Sequence, residues 1–187
     1  SKLFNFKYLK QNLKKSKGQF ILFLSIVPIF TFLILMMSLK DSTAQAIDLI
    51  ELSVINILGM YVIPIIISIN LFGYVYKRKS VDFINSMPIN KITIFLSNTL
   101  GGILLIILMQ LVNTVGIFII SKMYPTIIIF SGMIFDIFLI MTISYIFVFV
   151  ATNIAMSVSG NKLTQIVVTM LILFLIPFTV SSINETF

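Results

Sequence analysis

Five apolar runs, at residues 19–39, 52–76, 94–121, 137–158 and 164–182, contain no Asp, Glu, Lys or Arg between them. They are 19 to 28 residues long. A helix rises about 1.5 Å per residue, so about 20 residues cross the ~30 Å hydrocarbon core of a bilayer. Hydrophobic residues make up 59% of the chain and charged residues 10%, against roughly 45–50% and 25% in soluble domains. A chain of 187 residues has too little interior to hide so much apolar surface, so lipid must act as its solvent. The first run is too long for the core of a secretory signal peptide, and four more follow it. Pro28, Pro64 and Pro177 fall inside runs. Membrane helices tolerate proline where neighbours satisfy the freed carbonyl, so these positions predict kinks. The expected fold is all-α: a single transmembrane domain, a polytopic helical bundle of about five spans.

The charges divide by side. Residues 2–17, "KLFNFKYLKQNLKKSK", hold six lysines and no acid. Leu3, Phe6, Leu9 and Leu13 share one helical arc, which predicts an amphipathic interfacial helix before the first span; the plainer reading is a positive tail that only fixes topology. With the runs as spans, Lys77, Arg78, Lys79, Lys91 and Lys162 join the six amino-terminal lysines on one side. That side then holds eleven of the thirteen basic residues. Lys40 and Lys122 fall on the other, with Asp41, Asp48, Glu51 and Glu185. The positive-inside rule makes the richer side cytoplasmic and places the amino terminus there, in a multi-pass protein of a bacterial plasma membrane. Asp136 tests the fourth boundary. A carboxylate deep in lipid costs several kcal/mol, and no basic partner lies within the spans. The fourth span is therefore expected to begin at Ile137, with Asp136 at the outer interface and "MYPTIIIFSGMIF" as a short amphipathic or re-entrant piece before it.

Little in this inventory can do chemistry. Histidine and cysteine are absent, which removes the commonest metal ligand and acid/base group and any thiol. No H-E-x-x-H or P-loop pattern occurs. The expected class is not an enzyme, with no catalytic residue, metal or cofactor on this chain and no nucleic-acid partner. A proton- or sodium-coupled carrier usually places ionisable residues near the midplane, and the runs have none. Their polar residues include Asn70, Gln110, Asn113 and Asn153. Gln110 and Asn113 lie three apart on one face. They are candidates for interhelical hydrogen bonding, worth about 1 kcal/mol in lipid, or for the lining of a pathway or subunit interface. Gly101, Gly102 and Gly116 in the third run predict close helix packing.

The stretch "YKRKSVDFINSMPINKITIFLSNTL", residues 76–100, interrupts the apolar pattern with a polar segment. On a helix over 80–87, Val81, Phe83, Ile84 and Met87 share one half of the wheel, while Asp82, Asn85 and Ser86 share the other. Pro88 ends it, and Lys91 marks the return to the membrane. An apolar face on a cytoplasmic loop suits either a lid on the bundle mouth or a helix that docks into a partner's groove.

Lys79, Asp82, Phe83, Ser86, Met87, Pro88 and Lys91 match a pattern of basic residue, "DF" element, "S-[LM]-P" turn and basic residue. In this the segment resembles the cytoplasmic loop of bacterial ABC transporter permeases of the exporter-like type-2 class, and "FNFKYLKQNLKKSKG" resembles that family's amino-terminal elbow helix. The resemblance covers residues 1–121; beyond them only the apolar spans correspond. It implies a permease subunit that works by alternating access. Its coupling helix, formed by Lys79, Val81, Asp82, Phe83, Ile84, Ser86, Met87, Pro88 and Lys91, would insert into a separate cytosolic P-loop ATPase subunit that holds the ATP and magnesium. A second permease half, as a homo- or heterodimer, is implied as well. Such permeases usually have six spans per half; five are read here, as in a truncated half. The alternative is an accessory, immunity or sensor membrane protein that moves nothing itself. An interior without charged side chains suits lipids, amphipathic peptides or drugs better than small ions.

Overall fold

The computed structural model describes residues 49–78, 81–82, 86, 90–123 and 131–184, with single positions between 18 and 33. The expected interfacial helix at 2–17 lies outside the described residues, as does much of the first run. The positions described between 18 and 33 are helical. Helix α1 spans Leu49–Phe72 and continues into a tight 3-10 turn, Gly73–Tyr76. Helices α2 (Lys91–Met123), α3 (Ser131–Val158) and α4 (Lys162–Asn184) follow. No strand occurs among the described residues.

Three stretches are long and apolar enough to cross a membrane: Gly59–Tyr76, Lys91–Ile119 and Ile134–Val158. In α4 the described apolar stretch, Lys162–Leu175, is shorter. Two helices begin before the spans read in the sequence. Helix α2 begins at Lys91, three residues before the expected 94, because Asn90 caps it. The Asn90 Oδ1 accepts the Ile92 amide at 3.2 Å and its carbonyl accepts the Ile94 amide at 3.2 Å, satisfying donors that a helix start leaves open. Helix α3 begins at Ser131, so residues 131–135 form its first turn and are not a separate piece before it. Its 28 residues reach about 42 Å at about 1.5 Å each. That exceeds the hydrocarbon thickness by about two turns, and Asp136, in the second turn, is exposed.

Helix α3 is the hub, packing against α1, α2 and α4. Cross-contacts fix the directions. Ser68 meets Asn153, while Gly59, nine residues earlier, lies against Tyr145, eight residues earlier, so α1 and α3 run parallel. Asn98 reaches Leu71 at the end of α1 and Gly102 abuts Phe149, so α2 runs the other way. Residues 159–161 turn the chain directly from α3 into α4. The core holds Ile63, Ile67, Phe72, Ile106, Met109, Tyr145 and Phe149. A β-carbon added to Gly102 would overlap the Phe149 ring; only glycine lets α2 approach α3 this closely.

Polarity is inverted relative to a water-soluble bundle. Ser68, Ser97, Asn98, Gln110, Asn113, Thr152, Asn153, Gln165 and Thr169 are buried. The outer faces carry Leu104, Leu108, Leu111, Val115 and Phe118 on α2 and Ile140, Ile143, Phe147, Val150 and Ile154 on α3. Both stripes follow three- and four-residue spacing, one continuous face of a helix. Hydrocarbon solvates such faces at no cost and offers nothing to a hydroxyl or amide, which must find partners inside.

Candidate functional site

The end of the bundle where α1 stops, α2 starts, α3 stops and α4 starts carries the segment singled out in the sequence. The backbone there is helical at Arg78, Val81 and Asp82 and a turn at Ser86. The Lys77 carbonyl accepts the Val81 amide at 3.0 Å, and the Asp82 carbonyl accepts the Ser86 amide at 3.0 Å. Both are four-residue helical bonds. The turn geometry thus begins at Lys77, directly after the 3-10 turn that Lys77 closes by donating to the Tyr74 carbonyl at 3.1 Å. Val81 is half-buried, while Asp82, Ser86 and Lys91 are exposed, the two-sided pattern of an amphipathic turn. Lys79, Phe83, Ile84, Met87 and Pro88 lie outside the described residues.

Beneath this segment lies a buried hydrogen-bond network. The Tyr76 hydroxyl donates to Oε1 of Gln165 at 3.0 Å. The Gln165 amide nitrogen donates to the Ser68 hydroxyl and to the Thr152 carbonyl, each at 3.3 Å. Ser68 in turn donates to Oδ1 of Asn153 at 2.8 Å. Gln165 and Ser68 are both 0% exposed. One glutamine therefore ties together the 3-10 turn, α1, α3 and α4. Helix α4 is also capped. Asn161 Oδ1 accepts the Thr164 amide and the Thr164 hydroxyl, each at 2.8 Å. Asn98, on α2, donates to the Leu71 carbonyl at 3.4 Å.

Sequence reasoning picked out Asn153 but missed Gln165, Ser68 and Tyr76. A signal was present. Gln165 and Thr169 are one turn apart in an apolar run, and Thr169 donates back to the Gln165 carbonyl at 2.7 Å. That puts both polar groups on the inward face.

Gln110 and Asn113 share a face of α2 and meet different neighbours. Gln110 is buried, and its side chain is hydrogen-bonded with the Tyr145 hydroxyl of α3. Asn113, also buried, lines a cavity of about 230 Å³ with Pro28, Ile29, Thr31, Phe32, Gly116 and Ile117. The amide nitrogens of Gln110 and Asn153 find no hydrogen-bond partner among the described residues. The described residues contain no group of three His, Cys, Asp or Glu side chains that could hold a metal ion. The arrangement can hold a loop against four helical elements.

No protein-family model matches the chain, no curated protein is detectably similar to it, and no solved structure matches its fold.

Proposed function

We propose that this chain is the membrane-spanning permease subunit of an ATP-driven transporter, with about five spans, an amino-terminal interfacial helix and a cytoplasmic amino terminus. A separate P-loop ATPase binds ATP and magnesium. Residues 79–91 form the coupling helix that this ATPase grips, and a second permease half completes the pathway. The observation that supports this most is the pair of four-residue backbone bonds, Val81 to Lys77 and Ser86 to Asp82, in a segment entered from the Tyr76–Gln165 bond and followed by the Asn90 cap of α2. A lever needs both ends joined to what it moves. Closure of the ATPase pulls on Phe83, Ile84 and Met87; Asp82, Lys79 and Lys91 set the orientation by charge. The motion passes through Tyr76 into α1 and α4, and through Asn90 into α2. Alternating access follows as these helices tilt about α3.

Co-purification from the native membrane tests this reading. A P-loop ATPase should remain bound to the wild-type chain and be lost from a Phe83→Asp, Met87→Asp variant. Retention by that variant would remove the coupling helix from 79–91. An intact preparation with no ATPase would favour an accessory or sensor role.

A further inference from the structure

The basic end of the bundle carries an electrostatic imbalance that nothing described within the chain offsets. Lys77, Arg78, Lys91 and Lys162 are exposed there, and Asp82 is the one acid among the described residues of that end. Lys91 and Lys162 each occupy the first position of a helix, and neither α2 nor α4 has an acid in its first turn. A helix amino terminus carries partial positive charge, and a lysine there works against it. Asparagines, which are neutral, cap both ends. At the other end, Lys122 and Asp136 are both exposed.

The height of these charges identifies what offsets them. Lys77 and Arg78 follow immediately after the apolar stretch that ends at Tyr76, and Lys91 opens the next one. Lys162 lies four residues beyond Val158, where the third stretch ends. Its stem passes beside the 3-10 turn: a β-carbon added to Gly73 would sit 3.8 Å from the Lys162 Cε. The lysine stem thus lies over the turn whose chain leads into Lys77 and Arg78. Cations placed within a turn of the hydrocarbon boundary sit at the level of lipid phosphates, where each Lys or Arg is drawn to an anionic leaflet. A cytosolic protein would have to reach down to that level, whereas phosphates are already there.

We propose that the junction of the 3-10 turn and the α4 amino terminus is a binding site for an anionic phospholipid headgroup, held by Lys77, Arg78 and Lys162. The site does not depend on the transport proposal. Its occupation offsets the positive start of α4 and fastens the base of the 77–90 loop to the membrane surface.

The test compares the full chain in phosphatidylcholine vesicles with and without phosphatidylglycerol, at low salt. The unfolding midpoint of the wild type should be several degrees higher with phosphatidylglycerol, and the increment should shrink at high salt as charges are screened. An Arg78→Gln, Lys162→Gln variant should lose most of the increment, while Lys122→Gln, at the other end, keeps it. Equal wild-type midpoints in the two lipids would overturn the proposal, as would an undiminished increment in the double variant. Soluble glycerophosphate added to phosphatidylcholine vesicles should give no increment; one of equal size would assign the site to free phosphates. If the double variant does not fold, lipid retention by the wild type decides. Preferential release of phosphatidylglycerol over phosphatidylcholine in native mass spectrometry supports the site, and release in proportion to the vesicle composition refutes it.

Discussion

Tyr76 and Gln165 are 89 residues apart in sequence, yet the hydroxyl of one donates to the side-chain oxygen of the other at 3.0 Å. This bond closes the base of the polar loop onto α4. It is also the outermost link of a chain that runs inward through Ser68 to Asn153. A buried acceptor that loses its donor in lipid has no water to turn to. Tyr76→Phe should therefore destabilise the protein by about 1 kcal/mol, and Gln165→Leu by roughly 1–3 kcal/mol. A double-mutant cycle on unfolding in detergent should give a coupling energy of about 0.5 kcal/mol or more; a cycle that sums to zero would mean the bond holds nothing.

Replacing Gly102 with alanine puts a methyl group into the Phe149 ring. Overpacking of this kind typically costs roughly 1–3 kcal/mol. Shrinking the ring with Phe149→Leu in the same chain should recover part of the loss, which distinguishes a steric clash from a general intolerance of α2 to substitution. Thermal unfolding of the two single variants and the double variant gives the answer.

The two asparagine caps should be visible in hydrogen exchange. Asn90→Ala and Asn161→Ala each remove a side-chain acceptor from a helix start, at a cost of about 1 kcal/mol. The amides of Ile92 and Thr164, which those side chains engage, should then exchange roughly five-fold faster, with the middle of each helix unchanged. Unchanged exchange at both amides would assign the stability of these starts to packing.

Sidedness can be read with single cysteines, because the native chain has none. Cysteines at Ser86 and Gly160 lie at one end of the bundle and a cysteine at Lys122 at the other. A membrane-impermeant thiol reagent should label the first two from one face of sealed vesicles and the third from the opposite face. Labelling of all three from one face would break the up-and-down arrangement.

The apolar runs were legible in the sequence because lipid imposes length and the absence of charge, and both are local properties. The start of α3 was not. Placing Asp136 at an interface suggested that the span should start beside it; a helix longer than the bilayer is thick can carry a carboxylate in its second turn and keep it wet. Nor was the pairing of Gln165 with Tyr76 and Ser68 readable. Each is an ordinary polar residue in or beside its own run, and the meeting depends on how four helical elements are rotated about one another. Gln110 and Asn113 show the same limit: their shared face was evident, and their separate neighbours were not.

The order of synthesis gives the Ser68–Asn153 contact a temporal meaning. Ser68 leaves the ribosome 85 residues before Asn153, which at about 5–20 residues per second is roughly 4–17 seconds. For that interval the helix that contains Ser68 has no α3 to bond to. Helices α3 and α4, joined by three residues, can enter the bilayer together as a hairpin and bring Asn153, Thr152 and Gln165 to Ser68 in a single event. The fifth apolar run is thus the one that completes the second, and a chain stalled before Gln165 would leave α1 as a substrate for membrane quality control.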